Sequence, residues 1–495
     1  MTARTSGVPN PSKRSTEIQW KRSRQWPPER RSWINHVSQV QTIPTTLPEQ
    51  GSPLISTSQQ MAALSKLALP LVLAQGATLM MSVIDLVMVG RLGTRAVAAL
   101  GLSVFSNSFL LASVDGLVSS VRGVVARRRG ERSTEPTCLP LNAGLLIALV
   151  VGVPLAVAFS VMSASFFARV SSDPEVAKIG VPVFSILCLA IPAAGMHKAF
   201  NGFWTGVEKP RVFMLIVLFM NSLNIVMNYA LIFGHLGAPR LGAKGATIST
   251  ALSLYVGVIL NCVMVRRRFR NNGFLTMRPP KSLVMRITQL GLPINVTRFF
   301  MGAGYVIFLR FVGQVGTAEL AATNVLVRVT LMLEIFATSL GMAAATLVSK
   351  TVGEGDLSRA TQWGWSAAKM GITGITLMGL PIIFFPKVFL AFFLSDSYAI
   401  SISVNPIRIE AAVTGIVSLM YIFGYALNSL GDGKRIMMIC LLTQWLLFLP
   451  AVWLVGPHLH YGLLQLWLVQ IGYGLLASVL VTALWIDGRW KRIKI

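Results

Sequence analysis

Charge is scarce in this chain of 495 residues: 13% are Asp, Glu, Lys or Arg, about half the share of an ordinary soluble domain. Acids are scarcer still, 18 against 44 Lys and Arg, for a net charge of +26. With 54% hydrophobic residues and a mean hydropathy of +0.65, that shortage excludes a disordered chain and almost any soluble enzyme. The polar residues could not cover a soluble surface, so the bilayer is the natural solvent. Cysteine is nearly absent. Cys138, Cys188, Cys262 and Cys440 lie far apart and form no CxxC pair, so neither a disulfide framework nor a zinc site is implied. No Gly-x-x-x-x-Gly-Lys-Ser/Thr loop occurs, which removes an ATP-driven engine of that kind. No His-Glu-x-x-His or Gly-x-Ser-x-Gly motif occurs, and His458 and His460 stand two apart, which is not a helical metal spacing. No enzyme, cofactor or metal is expected. The basic excess lies mostly between apolar runs, not on a soluble face that could hold nucleic acid.

What the sequence does have is long hydrophobic runs. Twelve follow Met61, at about 64–89, 96–125, 139–166, 176–204, 210–234, 243–265, 284–312, 317–349, 363–385, 402–428, 435–456 and 462–486. At these lengths only helices satisfy their own backbone in lipid. Pro70, Pro154, Pro182, Pro192, Pro293 and Pro381 fall within or near span ends and are candidate kinks. Residues 1–60 stand apart as a basic tail rich in Ser, Thr and Pro, with no signal-peptide core. They are expected to be disordered, or to lie upstream of a true start at Met61. Counting Lys and Arg between spans gives 22 on one side, Lys198 among them, and seven on the other. Both termini are therefore expected to be cytoplasmic.

The chain also repeats itself. Leu67-Ala-Leu-Pro70 matches Leu290-Gly-Leu-Pro293 at an offset of 223, and the same offset aligns 90–99 with 313–322 and Gly130-Glu131 with Gly353-Glu354. Residues 206–211 match 431–436 at an offset of 225, placing Lys209 on Lys434. Six spans per repeat is an even number, so both halves enter the membrane in the same sense. The expected fold is an all-α integral membrane protein of twelve helices. It has two six-helix bundles related as parallel repeats, 61–270 and 284–495, joined by a cytoplasmic linker at 271–283. Such an architecture places a cavity between halves that rock against each other.

With these motifs the sequence resembles the multidrug and toxic compound extrusion (MATE) family. The carrying residues are Leu67 to Pro70, Ile84-Asp-Leu-Val-Met-Val-Gly-Arg-Leu-Gly93, Ala96-Val-Ala-Ala-Leu-Gly101 and Gly242-Ala-Lys-Gly-Ala-Thr247. The resemblance covers about 61–490. It implies export of small organic, often cationic compounds through a V-shaped cavity between the bundles. Export would be driven by inward flow of H⁺ or Na⁺, by a monomer in the plasma (inner) membrane.

Asp85 is the leading candidate for coupling. A carboxylate at membrane depth is costly unless paired, hydrated or protonated, which poises it to take and release a proton. The plain alternative is a helix-end acid, solvated or paired with Arg91. The resemblance adds that Asp85 matches the family's essential first-helix acid. Asn224 and Asn228 share one helical face and can bond an acid or coordinate a cation; interhelical packing is the alternative. Thr250 and Ser249 are weaker members of the same pocket, and Pro70 is the candidate hinge. Sodium-coupled members often carry acids where this chain has Met301 and Val417, so H⁺ is preferred to Na⁺ as the coupling ion. Among the remaining charges, Asp115 and Arg122 are expected to pair along one helix. Arg298 and Glu334 are expected to pair between helices, or Glu334 to meet a cationic substrate; Glu334, Arg298 and Asp115 are the candidate residues of the substrate cavity. Arg408 and Glu410 are expected to be structural or solvated. The reading is a proton-coupled multidrug antiporter. The rival is a flippase for a lipid-linked sugar or other amphipathic lipid, which a basic cavity would favour.

Overall fold

The computed structural model describes residues 56–493 except 172 and 395, so the expected tail lies outside the described residues up to residue 55. The described residues are helical throughout, without a strand. Eleven helices are long and apolar enough to cross a membrane, and one bent pair makes a twelfth. In chain order they are α1 (Thr57–Gly90), α2 (Thr94–Gly130), α3 (Leu139–Val161), α4 (Pro174–Leu189 and Ile191–Gly206, bent by 41°), α5 (Pro210–Phe233) and α6 (Ala243–Arg268). The second half follows with α7 (Lys281–Val315), α8 (Thr317–Gly353), α9 (Leu357–Phe384), α10 (Ser397–Ser429), α11 (Gly433–His458) and α12 (Leu463–Asp487). All twelve expected spans are present.

The helix ends follow local chemistry. Ser56 and Gln59 form a capping box: the Ser56 hydroxyl accepts from the Gln59 N–H at 3.3 Å, and Gln59 Oε1 accepts from the Ser56 N–H at 3.2 Å. That cap starts α1 at Thr57, before Met61, so residues 57–60 are helix and not tail. Asp173 caps α4 ahead of Pro174, Asp356 caps α9 and Asp396 caps α10. Gly234, at φ +80°, ends α5 in the left-handed region that glycine tolerates. The helix α11 carries π-helical turns at Thr443–Phe448 and Leu454–His458.

The two halves are not cleanly separate. The first turns of α1 and α7 are exchanged between them. Leu64 and Leu67 of α1 pack in a core with Leu340, Ala343, Leu347 and Trp363 of α8 and α9. Their repeat partners on α7, Ile287 and Leu290, pack instead with Val121, Leu141 and Phe203 of the first half. Two amide side chains fasten the exchange. Asn295 of α7 accepts from the Gly116 N–H at 2.6 Å and donates to the Ser113 carbonyl at 2.5 Å. These groups lie beside the short 3₁₀ turn Ala112–Val114 that interrupts α2. Gln75 of α1 donates to Ser339 of α8 at 2.6 Å and accepts from Thr338 at 3.3 Å. A Cβ on Gly116 would collide with the Gly291 backbone, so this crossing requires glycine.

At the end of the bundle that carries residue 56 and the C-terminus, the halves are in direct contact. Lys350 of α8 pairs with Glu208 after α4 at 2.8 Å, and Arg127 of α2 donates to the Ile493 carbonyl at 3.3 Å. Replacing Asn295 by Leu leaves the buried Gly116 N–H without its acceptor, which costs about 1–3 kcal/mol. Melting of the purified protein is expected to fall for Asn295→Leu and, by less, for Gln75→Leu. Unchanged melting in both would show that the amides do not hold the exchange.

Candidate functional site

Asp85 lies near the far end of α1, within two turns of Gly90, and α5 presents Asn224 and Asn228 to it from one face. Asn228 donates from Nδ2 to Asp85 Oδ1 at 2.5 Å. The same Asn228 nitrogen donates to Asn224 Oδ1 at 2.8 Å, and Asn224 Nδ2 in turn donates to the Thr250 hydroxyl at 3.3 Å. Both asparagines are buried, while Asp85 and Thr250 are partly open. One buried atom is left over: Asn228 Oδ1 has no hydrogen-bond partner. Four residues read from the sequence thus meet at one point. Arg91 forms no ion pair with Asp85 among the described residues, and the carboxylate takes its hydrogen bond from the Asn228 amide.

Two cavities meet at this carboxylate. One, of 570 Å³, is lined by α1, α4, α5 and α6 together with Leu331 and Ile335 of α8; Gln75, His197, Asn201 and Asn221 give it polar wall. The other, of 430 Å³, lies against α2, α4 and α6, with Arg328 of α8 in its wall. Asp85, Ser82 and Thr250 line both, so the carboxyl stands between two spaces through which water and solute can reach it. The sequence signal for Gln75, His197, Asn201 and Asn221 was only a polar residue in an apolar run, without a motif to single it out.

Other expectations need correction. Ser249 is fully buried and donates to the Gly245 carbonyl of its own helix at 2.8 Å, so it is not part of the pocket. Asp115 does not pair with Arg122. It pairs with Lys198, which lies within α4 and not in a loop, because α4 packs a cation against Asp115 while Arg122 faces α10. Arg122 is completely buried and bonds Ser119 and Ser429 at 2.9 and 3.1 Å. Arg298 and Glu334 form no ion pair among the described residues; α10 places tyrosines between them. Arg298 donates to the Tyr425 hydroxyl at 3.4 Å, and Glu334 meets Tyr421. Neither of them, nor Asp115, lines the two cavities at Asp85. Arg408 donates to the Ile383 carbonyl at 3.2 Å, as a structural role requires, whereas Glu410 lies beside Glu334 and Trp467. Pro70 is buried inside the continuous helix α1. Met301 accepts from the Tyr473 hydroxyl on its sulfur at 3.6 Å, and Val417 packs against Gly474.

The family model described as MatE matches the chain twice, over residues 70–230 and 293–454. The chain belongs to the MatE family. The two matches open on Pro70 and Pro293, the pair that aligns the repeats at an offset of 223. Among similar proteins, the "multidrug resistance protein NorM" of Burkholderia vietnamiensis is 27% identical over 447 residues, covering 87% of this chain and 94% of its own. The "probable multidrug resistance protein NorM" of Rhodopseudomonas palustris is 26% identical over 428 residues, covering 84% and 89%. A solved structure of an outward-facing multidrug resistance MATE family transporter superposes with a TM-score of 0.81 at 18% identity, covering 88% of this chain and 97% of its own. The Vibrio cholerae MATE transporter VcmN gives 0.80 at 16% identity, covering 87% and 97%. These structures show the shared fold. Within the MatE chain, Asp85 is a carboxyl held by neutral amides beside apolar wall, the setting in which a hydrophobic carbodiimide attacks a protonated acid. Labelling of the purified protein is expected at Asp85, falling as pH rises and absent in Asp85→Asn. Equal labelling of that variant would place the reactive acid elsewhere.

Proposed function

We propose that this chain is a secondary active exporter of drug-like organic compounds, working as an H⁺ antiporter by alternating access. The observation that carries the reading is Asp85 at the junction of two cavities, bonded by the Asn228 amide and, among the described residues, by no cation. The names of its NorM relatives support multidrug substrates. The protein acts as a monomer in the plasma membrane with both termini in the cytoplasm. Cationic compounds fit an exporter whose deprotonated acid faces the cavity.

The proton changes what Asp85 needs from its neighbours. As a carboxylate it only accepts, and Asn228 Nδ2 supplies the donor. Once protonated, it must place an O–H on an acceptor. Asn228 Oδ1, buried without a partner, becomes that acceptor when the amide turns by half a revolution. The bond to α5 is remade, and α1, whose other end is packed in the second half, shifts against it. Pro70 lacks the N–H that would stiffen α1 below this point. Substrate and proton thereby favour different arrangements of the halves, and that difference in affinity is the coupling. Na⁺ is disfavoured because Met301 and Val417 offer no carboxylate.

Efflux of a fluorescent organic cation tests this, with the pH gradient and the Na⁺ gradient collapsed separately. Export is expected to stop without the pH gradient and in Asp85→Asn, at normal insertion of the protein. Pro70→Ala is expected to slow it by about fivefold, since a restored helical bond of about 1 kcal/mol resists bending. Export that persists without a pH gradient but needs Na⁺ would contradict H⁺ coupling. Undiminished turnover in Pro70→Ala would remove the hinge. Movement of no solute under any gradient would turn the reading toward lipid substrates.

A further inference from the structure

Apart from the Asp85 pocket, the interface between the halves holds a second unbalanced group of charges. Arg122 of α2 is completely buried. It donates to the hydroxyls of Ser119 and Ser429 and lies 5.4 Å from the centroid of the Tyr425 ring, while its Nη1 has no hydrogen-bond partner. Arg298 of α7 reaches the hydroxyl of the same tyrosine at 3.4 Å. Among the described residues, no carboxylate lies within ion-pair distance, 4.0 Å, of either guanidinium. The nearby Lys198 already holds Asp115, and Glu334, beyond ion-pair distance of Arg298, meets Tyr421. Arg122, buried, and Arg298, open to the space beside it, therefore share one tyrosine at membrane depth. A buried charge without a counter-charge costs several kcal/mol.

Beside them is a cavity of 150 Å³, lined by Ser119, Arg298, Tyr425 and Asn428 among others. Its wall is built to donate. The Ser119 oxygen accepts from Arg122 and the Tyr425 oxygen accepts from Arg298, which leaves each hydroxyl with an O–H to give. The buried side-chain oxygen of Asn428 has no partner, and a turn of its amide would supply a further donor. At about 30 Å³ per water, the space takes a small ion with a few waters, or a single carboxylate group.

We propose that this cavity is a site for a small monovalent anion, a halide or a carboxylate, bound between the halves by Arg298 and the Ser119 and Tyr425 hydroxyls, with Arg122 behind them. Its elements come from α2, α7 and α10, so an anion there ties the two halves together at a point independent of Asp85. The ligand comes either from dissolved chloride or from the acid group of an organic compound.

The test is melting of the purified full-length protein in chloride, acetate or morpholinoethanesulfonate salts at one ionic strength and pH. Chloride or acetate is expected to raise the melting temperature saturably, by about 3 °C over the sulfonate, which carries no carboxylate and is too bulky for the cavity. Arg298→Gln is expected to abolish the difference, and Ser119→Ala to weaken the apparent affinity by about tenfold. A response to chloride identifies the free ion as ligand, and a response to carboxylates alone identifies an acid group. No saturable difference between salts, or an equal one in Arg298→Gln, would overturn the site. Because melting needs no transport, this result stands apart from the fate of the exporter reading.

Discussion

Helix α1 belongs to both halves of the molecule, and the rest of the structure depends on that. Its first turns are buried with α8 and α9, and its far end carries Asp85 to the amides of α5. A change in the bond at Asp85 therefore cannot stay local, because the same rigid element fills the core of the other bundle. The exchange is reciprocal. Helix α7 enters the first bundle at the equivalent positions and is fastened there by Asn295. Twelve helices built by duplication thus become one interlocked body, with polar clasps where each exchanged helix crosses to the other half.

Three groups of charges in the spans differ in environment. Asp115 and Lys198 satisfy each other and can stay ionised through any motion that keeps α2 against α4. Asp85 is met only by neutral donors, which leaves its proton free to respond to the surroundings. Arg122 and Arg298 have hydroxyls and a shared tyrosine but, among the described residues, no acid within ion-pair distance, a deficit that an anion would relieve. The first kind is architecture. The other two are where a solute or ion can alter the energy of the assembly.

Much of this was legible in the sequence because it was written as a pattern. Hydropathy located the spans. The recurrence of Leu67–Pro70 at Leu290–Pro293 located the duplication, and the i, i+4 spacing put Asn224 and Asn228 on one face. What the sequence does not encode is which helices become neighbours. The expected Asp115–Arg122 pair considered only the partners on α2, but α4 brings Lys198 to Asp115 and α10 brings Ser429 to Arg122. The expected Arg298–Glu334 pair assumed that opposite charges at depth must touch, but Tyr421 and Tyr425 intervene. Likewise α1 begins earlier than its hydropathy indicates, because the capping box at Ser56 and Gln59 is polar and carries no apolar signal.

The central claim is that one proton at Asp85 and one organic compound compete through α1. It is tested most directly by adding an organic cation to the purified protein in weakly buffered solution and recording pH. The account predicts release of protons on binding by the native chain and none by Asp85→Asn, which still binds the compound. Binding without proton release in the native chain, or equal release in Asp85→Asn, would contradict it.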